Sequence, residues 1–413
     1  MRNAMQQIRI CALLALVCAI CPRLSAAWAP LTPSAKFSVI TCSPGPDLYS
    51  LFGHSAFRLQ DTLDGRPVDI VFNYGVFDAF DDGFYVKFAR GKLDYKLIVE
   101  YYDYFIQIYQ EEGRGVWEQE LLLTPLQRQQ LFDLLQSNVQ KNNCVYRYDF
   151  FYDNCSSRIR DMIMRATSTE PTMDLGFRYV PLDTLLKLNL VEFESPCAAG
   201  TTYRQAIQKY LDYQPWSDFG IDLALGLPCD RMIGEYGFMF LPDSLMRELE
   251  MAKLNGSPLC APPVELLPKR MELDANVMTA PLVVFLVWLV LHVWLTYRRR
   301  DQKRVMLHEW ILLSVVSLLS LLIIFLWFFT DHNATHGNWN LLWACPLNFV
   351  MLLFIRNRMV VKYTSVVNLA AGGIALFTFA WLPQSLHTAT LPLIAMLIIT
   401  NYRLYRNARN IEH

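Results

Sequence analysis

The distribution of apolar residues divides the chain into two parts. From about residue 277 onward, long apolar stretches alternate with short polar loops, whereas the earlier residues form shorter mixed runs. A helix needs about 20 apolar residues to span a bilayer. The pattern therefore predicts about five transmembrane helices, of which the third and fifth need their flanking residues: 277–297, 310–329, 341–355, 366–382 and 391–402.

Basic residues mark one side of the predicted membrane part. Clusters of Lys and Arg follow the first, third and fifth stretches, whereas the alternate loops at 331–340 and 383–390 contain neither residue. Loops rich in Lys and Arg stay in the cytoplasm. The C-terminus is therefore expected in the cytoplasm, and the residues before 277 on the other side of the membrane.

Alternating apolar and polar positions before residue 171 predict an α+β domain. Strands are expected at 37–40, 54–59, 68–73 and 116–123, and the second and third form a hairpin around Asp64-Gly65. Thr124-Pro125 predicts the start of a helix. Helical patterns at 201–213, 219–226 and 243–253 predict an extension that ends in a proline-rich linker. The expected domains are 28–170, the extension and linker at 171–268, and the membrane domain at 269–413.

The first 27 residues have the layout of a cleavable secretory signal. Arg2 and Arg9 precede an apolar run at 10–21, and the small residues Ser25-Ala26-Ala27 follow. Export agrees with the orientation predicted from the basic loops. The formal charge of -1 provides no basic surface for nucleic acid, so a nucleic-acid partner is not expected.

Cys155 stands where a helical pattern begins. Asp153 or Asn154 is the expected N-cap, and apolar positions within 159–163 fall on one helical face. In the first turn of a helix, free backbone N–H groups and the helix dipole favour a thiolate and can donate to an oxyanion. The competing interpretation is a buried structural thiol or half of a disulfide, and a base elsewhere in the chain is needed to decide against it.

Six cysteines of the exported chain lie outside the predicted membrane segments: Cys42, Cys144, Cys155, Cys197, Cys229 and Cys260. Export places them in an oxidising compartment. If Cys155 is a free thiol, the other five cannot all pair with one another. Spacing alone leaves their pairing open.

His54 is the one histidine before His292, so it is the only imidazole available to Cys155 in the exported domain. A cysteine nucleophile needs such a base and, usually, a third group that orients the base. Asn73 lies across the predicted hairpin and is the expected orienting residue. This assignment depends on the register of the hairpin.

Several short motifs together resemble a known family. The segments are 41–45 (Thr-Cys-Ser-Pro-Gly), 52–56 (Phe-Gly-His-Ser-Ala), 73–77 (Asn-Tyr-Gly-Val-Phe), 90–95 (Arg-Gly-Lys-Leu-Asp-Tyr) and 153–155 (Asp-Asn-Cys). They are similar to motifs of a periplasmic domain first described as of unknown function and now associated with the Bacteroides-type lipoprotein N-acyltransferase family. Residues 330–332 and 338–343 resemble the five-helix membrane domain of the same family.

The resemblance implies both a fold and an activity. The order His54 before Cys155 is similar to circularly permuted NlpC-type papain-like folds, so the expected fold is an α+β papain-like periplasmic domain followed by an all-α domain of about five transmembrane helices. The implied location is the bacterial inner membrane. The implied reaction moves an acyl chain from a phospholipid, through a thioester on Cys155, to the α-amine of an S-diacylglyceryl-cysteine lipoprotein. His54 is the expected base and Asn73 the third member, and no cofactor or metal is called for.

Residues in or beside these motifs, or in the outer loop at 331–340, are expected to bind substrate: Ser55, Tyr74, Tyr95, Asn154, Ser156, His332, His336, Asn338 and Asn340. Asn348, a polar residue within the third apolar stretch, is a weaker candidate. Arg90 and Asp94 belong to a family motif whose role the sequence does not define.

Two other classes of function remain open. A membrane-tethered papain-like peptidase or amidase acting on the cell wall would use the same Cys155 and His54. A non-enzymatic envelope assembly or transport protein would need neither residue. Against transport, the apolar stretches contain no evident pair of opposite charges.

Overall fold

The computed structural model describes residues 29–63, 65–77, 86–87, 90–168, 191–192, 200–234, 236–271, 277–299 and 305–409. The predicted signal peptide at 1–27, Asp64 of the predicted turn and Cys197 lie outside these residues. The chain forms two compact units. The first comprises Met1–Asp81, Asp94–Ala198 and Gly234–Met271, and the second comprises Asp82–Leu93, Ala199–Ile233 and Glu272–His413. The predicted extension at 171–268 is divided between the two units.

A seven-stranded antiparallel sheet forms the centre of the first unit. Its strands are β1 (Lys36–Cys42), β2 (His54–Leu63), β3 (Arg66–Val76), β4 (Asp94–Tyr101), β5 (Val116–Glu120), β6 (Val145–Arg147) and β10 (Val264–Leu267). They lie in the order β10-β5-β1-β2-β3-β4-β6. A separate three-stranded sheet contains β7 (Val191–Glu192), β8 (Lys253–Leu254) and β9 (Ser257–Pro258).

The strand predictions at 37–40, 54–59, 68–73 and 116–123 are confirmed as β1, β2, β3 and β5, although the first three strands are longer and β5 ends at Glu120. The hairpin is also confirmed, because β2 pairs with β3 in antiparallel register. Strands β4, β6 and β10 had no counterpart in the sequence prediction. Strands β10 and β6 form the two edges of the sheet, and β4 lies between β3 and β6.

Among its described residues, the first unit contains four helices: α1 (Tyr102–Glu112), α2 (Pro125–Val139), α3 (Cys155–Ala166) and α6 (Pro242–Met251). The period-two alternation of the strands divides their side chains between two faces. Phe37 and Val39 of β1 join the larger core with residues of α2 and α3. Ile40 and Cys42 point the other way and pack with Phe105 of α1.

Side-chain caps define where α2 and α3 begin. Thr124 accepts from the backbone N–H of Gln127, whose side chain in turn accepts from the backbone N–H of Thr124. Asn154 and Ser157 form the same reciprocal arrangement at the start of α3. Each arrangement satisfies two N–H groups that a helix would otherwise leave unpaired. The predicted helix start at Thr124-Pro125 is therefore confirmed, as is Asn154 as an N-cap.

The second unit is helical. Its helices are α4 (Tyr203–Gln208), α5 (Pro215–Ala224), α7 (Pro281–Arg298), α8 (Leu307–Phe328), α9 (Asn340–Trp343), α10 (Leu347–Leu353), α11 (Arg358–Thr378) and α12 (Thr390–Arg409). Among the described residues, α7, α8 and α11 are long and apolar enough to span a membrane. The third apolar stretch is divided into the short helices α9 and α10 on either side of Cys345-Pro346. Five spans therefore remain a prediction.

A buried pair of opposite charges lies just outside the predicted apolar stretches 310–329 and 391–402. The carboxylate of Glu309, in the first turn of α8, pairs with the guanidinium of Arg403 on α12, and both side chains are buried. Glu309 also accepts from the backbone N–H of Met306 at 2.8 Å. Glu309 and Arg403 are 94 residues apart in the chain, so only the packing of α8 against α12 brings them together.

We expect the loss of either member of this pair to destabilise the second unit strongly. Glu309→Gln removes the carboxylate that faces the buried Arg403 guanidinium, and removal of one member of a buried ion pair typically costs about 3–5 kcal/mol. The double variant Glu309→Met/Arg403→Met removes both charges and is expected to melt at a higher temperature than the single variant. Thermal unfolding of the full-length protein in detergent measures both.

The exposed pair between Lys36 and Glu120, at 3.0 Å, provides the control. Lys36→Met is expected to cost no more than about 1 kcal/mol, since solvent screens such pairs. Equal melting temperatures for Glu309→Gln and Lys36→Met would contradict the prediction.

Candidate functional site

Cys155 is the first residue of α3, and its position is set by the cap that precedes it. The Asn154 side-chain oxygen accepts from the Ser157 N–H at 2.9 Å, while its amide donates to the carbonyls of Phe150 and Phe240, both at 2.8 Å. All polar atoms of this side chain are therefore used in holding the turn. Asn154 was expected to bind substrate, but the structure places it under Cys155 as a buried cap.

His54 and Asn73 meet across the hairpin. His54 Nε2 and Asn73 Oδ1 are 2.7 Å apart. The Asn73 amide nitrogen donates to Glu100 Oε1, also at 2.7 Å. His54 pairs opposite Cys42, and Glu100 pairs opposite Val71, so that His54, Asn73 and Glu100 share one face of the sheet. The structure thus brings His54 and Asn73 together as the sequence predicted, and adds Glu100.

The Cys155 thiol and the His54 imidazole form a hydrogen-bonded, charge-coupled pair. Burial alone would raise the pKa of the Cys155 thiol, but the His54 charge and hydrogen bonds from His54, the Ser55 backbone and Ser156 lower it below its ordinary value. Burial likewise opposes the charged imidazole, yet the Cys155 charge and the hydrogen bonds to Cys155 and Asn73 raise the pKa of His54. These opposite shifts favour a thiolate–imidazolium pair.

Cys42 shows what burial does to a thiol that lacks such a partner. It lies opposite His54 on β1 and is fully buried. Burial raises the pKa of its thiol to about 12, despite the neighbouring positive charge of Arg114. Of the two thiols on either side of the imidazole, only Cys155 is therefore suited to ionise near neutral pH.

Gly75 leaves open the space in front of the pair. Its φ is +93°, in the region that favours glycine. A Cβ at this position would lie 3.7 Å from Cys155 Cβ, 3.7 Å from His54 Cε1 and 4.0 Å from Tyr146 Oη. The β3–β4 register shifts between Asn73 and Val76, which places Gly75 at an irregularity beside the site. A reacting carbonyl group could approach the sulfur through this space.

Ser55 and Ser156 lie behind the sulfur. Their hydroxyl oxygens are 3.1 Å apart, and both residues are fully buried. Ser156 Oγ is 3.9 Å from Cys155 Sγ, and the Ser55 backbone forms a hydrogen bond with the thiolate. These expected substrate-binding residues therefore contact the nucleophile and help to hold its charge.

Tyr74 and Tyr95, two further residues expected to bind substrate, have different surroundings. Tyr74 is fully buried, and its hydroxyl accepts from Asn138 at 2.9 Å, so its ring belongs to the core. Tyr95 is half-buried and stacks on Tyr148 with ring centroids 4.2 Å apart. It lies near enough to Cys155 for the two groups to interact electrostatically. Of these two tyrosines, Tyr95 is the one beside the candidate nucleophile.

Tyr146 was not singled out by the sequence. It lies on β6 directly opposite Tyr95, and its hydroxyl is buried without a hydrogen-bond partner among the described residues. Burial raises the pKa of Tyr146 well above its usual value, so the hydroxyl keeps its proton. An unpaired O–H next to the open space at Gly75 is suited to donate to a developing oxyanion.

The four outer-loop candidates all lie in the second unit. The Asn338 amide donates to the carbonyl of Leu223 at 2.8 Å, and Asn340 Oδ1 accepts from Trp343 at 2.9 Å. Both asparagines are buried and hold the loop in place. His332 is half-buried, whereas His336 is exposed.

The family motif around Arg90 docks on this loop. The Arg90 carbonyl accepts from the Asp331 N–H at 2.9 Å, and the Lys92 ammonium lies 3.6 Å from the Asp331 carboxylate. A Cβ on Gly91, whose φ is +66°, would lie 3.0 Å from the His332 backbone nitrogen. This close approach gives a structural role to the first three residues of a motif that the sequence could not interpret.

In the part of the chain that the structure describes, no other cysteine is paired with Cys155. Cys42, Cys144, Cys155 and Cys260 carry free thiols. The Cys229 thiol donates to the Ala334 carbonyl at 3.4 Å. The interpretation of Cys155 as half of a disulfide therefore has no support among the described cysteines.

Two family models match the chain. The Lnb N-terminal periplasmic domain matches residues 29–189, and the Lnb transmembrane domain matches residues 273–410. Together they cover most of the sequence and include every residue of the candidate site. No curated protein and no solved structure matches the chain.

The opposite pKa shifts of Cys155 and His54 predict how the reactivity of Cys155 changes with pH. In the wild type, alkylation of Cys155 by iodoacetamide should rise with a midpoint below the ordinary thiol pKa. His54→Ala removes the positive partner and leaves burial to raise the thiol pKa, so the midpoint moves upward and the rate at pH 7 falls at least about tenfold. Mass spectrometry of the Cys155 peptide from full-length protein measures the rate.

His336→Ala removes an exposed imidazole and serves as the matched control, with an expected profile like that of the wild type. Cys42 in the same sample should stay unlabelled at neutral pH, since its pKa is about 12. An unchanged midpoint in His54→Ala would show that the two groups are not coupled.

Proposed function

Because the chain belongs to the Lnb family in both its periplasmic and its transmembrane domain, we propose that it is a lipoprotein N-acyltransferase. A phospholipid supplies the acyl chain, and the α-amine of an S-diacylglyceryl-cysteine lipoprotein receives it. The observation that carries the proposal is the coupling of Cys155 to His54, with Asn73 Oδ1 2.7 Å from the imidazole.

In the first half-reaction, the Cys155 thiolate attacks an ester carbonyl of the phospholipid. A C–S bond forms and the C–O bond to the glycerol breaks, so the acyl group becomes a thioester. The His54 imidazolium gives its proton to the leaving alcoholate, which departs as a lysophospholipid. Backbone N–H groups in the first turn of α3 and the Tyr146 hydroxyl support the oxyanion that forms on the carbonyl.

In the second half-reaction, the neutral α-amine of the lipoprotein attacks the thioester. A C–N bond forms and the C–S bond breaks, while His54 takes a proton from the amine, and the thiolate is regenerated. An α-amine has an ordinary pKa of about 8, so a sizeable neutral fraction exists near neutral pH. Exclusion of water while the thioester exists separates this reaction from phospholipid hydrolysis.

The transmembrane domain gives this chemistry a physical rationale. Both substrates are anchored in the bilayer, and moving a chain of about 16 carbons into water would cost on the order of 12 kcal/mol at about 0.8 kcal/mol per CH₂. An enzyme that is itself anchored there avoids this cost. We assign the protein to the bacterial inner membrane, with its N-terminal domain in the periplasm and its C-terminus in the cytoplasm, as the basic loops indicate.

The local geometry also supports the papain-like assignment. A histidine on an antiparallel strand faces a cysteine that opens a helix packed on the same sheet, and the histidine comes first in the chain. This is the arrangement expected of a permuted NlpC-type domain.

A row of aromatic rings, exposed at one end and half-buried at the other, supports a path for the acyl chain. It begins at Tyr49, whose side chain is 65% exposed, and continues through Phe77 to Tyr95 and Tyr148. The centroids of Phe77 and Tyr95 are 5.2 Å apart. Since Tyr95 and Tyr148 also lie near Cys155, a chain attached to the sulfur has apolar surface beside it. We assign Tyr95 and Phe77 to acyl-chain binding.

Cys155→Ala should abolish N-acylation. In a strain that depends on this protein, mass spectrometry of lipoprotein N-termini is expected to find triacylated forms with the wild type and only diacylated free amines with Cys155→Ala. Cys144→Ala, which removes another thiol of the same unit, should leave triacylation unchanged. Diacylated amines with the wild type, or full N-acylation with Cys155→Ala, would contradict the proposal.

The same strains separate the rival functions. A cell-wall peptidase or amidase with this thiol would leave lipoprotein N-termini unchanged in Cys155→Ala and would alter cell-wall fragments instead. An assembly or transport protein would tolerate both Cys155→Ala and His54→Ala. The buried Glu309–Arg403 pair lies outside the predicted apolar stretches, and the hydrogen bond from Met306 to Glu309 fits a role in helix packing.

Chain-length preference tests the aromatic row. Phe77→Ala and Tyr95→Ala remove apolar contact area, so kcat/KM for acylation of Cys155 by palmitoyl esters should fall about tenfold, whereas butyryl esters should change less than about twofold. Tyr104→Ala, which removes an exposed aromatic ring on α1, should change neither rate. Equal losses with both chain lengths would show that the row only supports the fold.

A further inference from the structure

Glu100 extends the line of hydrogen bonds that begins at His54. Asn73 Oδ1 lies 2.7 Å from His54 Nε2, and Asn73 Nδ2 donates to Glu100 Oε1 at 2.7 Å. We propose that Glu100 is a positioning residue, whose carboxylate orients Asn73 and thereby sets the tautomer of His54. The inference rests on the proposed function in taking Cys155 and His54 as the reacting pair.

The donor and acceptor inventory gives the reason. An ionised carboxylate only accepts hydrogen bonds, so the NH₂ group of Asn73 must face Glu100 and its carbonyl oxygen must face His54. That oxygen requires a proton on His54 Nε2. The neutral imidazole then has its lone pair on Nδ1, which is the atom left to take the proton of Cys155. Without Glu100, the Asn73 amide could reverse and present its NH₂ group to the ring.

The charge of Glu100 also supports its proposed role, because it favours the protonated His54 imidazole. The titratable and charged groups that face the His54 imidazole are Cys155, Glu100, Arg114 and, opposite it on β1, the Cys42 thiol, which burial keeps protonated. The groups that face Glu100 are His54 and Tyr109. Arg114 disfavours the imidazolium, although its guanidinium is engaged by Glu112 at 3.0 Å and by the Ser43 carbonyl at 2.7 Å. The Glu100 carboxylate opposes Arg114 and stabilises the imidazolium.

Burial makes the carboxylate dependent on the same partners. Burial raises the pKa of Glu100 overall, and the hydrogen bond from Asn73 and the His54 charge offset part of this rise. A buried carboxylate is costly unless it is hydrogen-bonded and faces a positive charge. Asn73 and a protonated His54 meet both conditions, so the protonation of the imidazole and the ionisation of Glu100 reinforce each other.

Two substitutions of Glu100 separate its effect on the orientation of Asn73 from the effect of its negative charge. Glu100→Gln keeps a side-chain oxygen that can accept from Asn73 but loses the negative charge, whereas Glu100→Ala loses both. In full-length protein, alkylation of Cys155 by iodoacetamide is measured across pH. We expect Glu100→Ala to move the midpoint upward and to slow alkylation at pH 7 about tenfold, with Glu100→Gln between it and the wild type. Glu120→Gln, an exposed glutamate of the same sheet, should give the wild-type profile.

The pH profile distinguishes positioning from a structural role. A lower melting temperature with an unchanged alkylation midpoint in Glu100→Ala would overturn the proposal. If Glu100→Ala does not fold, Glu100→Gln decides: a wild-type midpoint overturns the proposal and an upward shift supports it. Alkylation needs no lipoprotein, so a response to Glu100 together with unchanged N-acylation in Cys155→Ala would refute the transferase function and leave this inference standing.

Discussion

The hydrogen bond between His54 and Asn73 is the contact on which the candidate site depends. Burial disfavours a charged imidazole, and the ring keeps its raised pKa only because Asn73 and Cys155 both face it. The hairpin supplies one side of this arrangement and the capped start of α3 supplies the other. If the imidazole lost its orientation, burial would raise the pKa of the Cys155 thiol, as it raises the pKa of the Cys42 thiol.

Sequence patterns predicted the parts of the site that depend on residues close together in the chain, namely the hairpin and the start of α3. A short hairpin has a narrow range of registers, so the position of Asn73 near His54 could be inferred from the turn alone. An asparagine followed by a serine three residues later defined the start of α3 and placed Cys155 in its first turn. The role of each residue in catalysis remains a prediction until the variants are measured.

Glu100 and Tyr146 could not be found in the same way. Glu100 faces Asn73 because β4 pairs with β3, and Tyr146 faces Tyr95 because β6 pairs with β4. The spacing of these residues in the sequence does not predict those strand pairings, and β4 itself was not predicted. The buried pair of Glu309 and Arg403 was concealed for a related reason, since the packing of separate helices brings the two residues together. Contacts of this kind require the three-dimensional structure.

Gly75 has a consequence for how the site can be studied. The space that it leaves lies among Cys155, His54 and Tyr146 and exists because a backbone position has no side chain. A methyl group there would contact Cys155 and His54 and would also strain the backbone of β3, because φ at Gly75 is +93°. The size of the electrophile is therefore the cleaner variable: a bulky electrophile reports on the width of the opening, and a small one reports on the ionisation of the same cysteine.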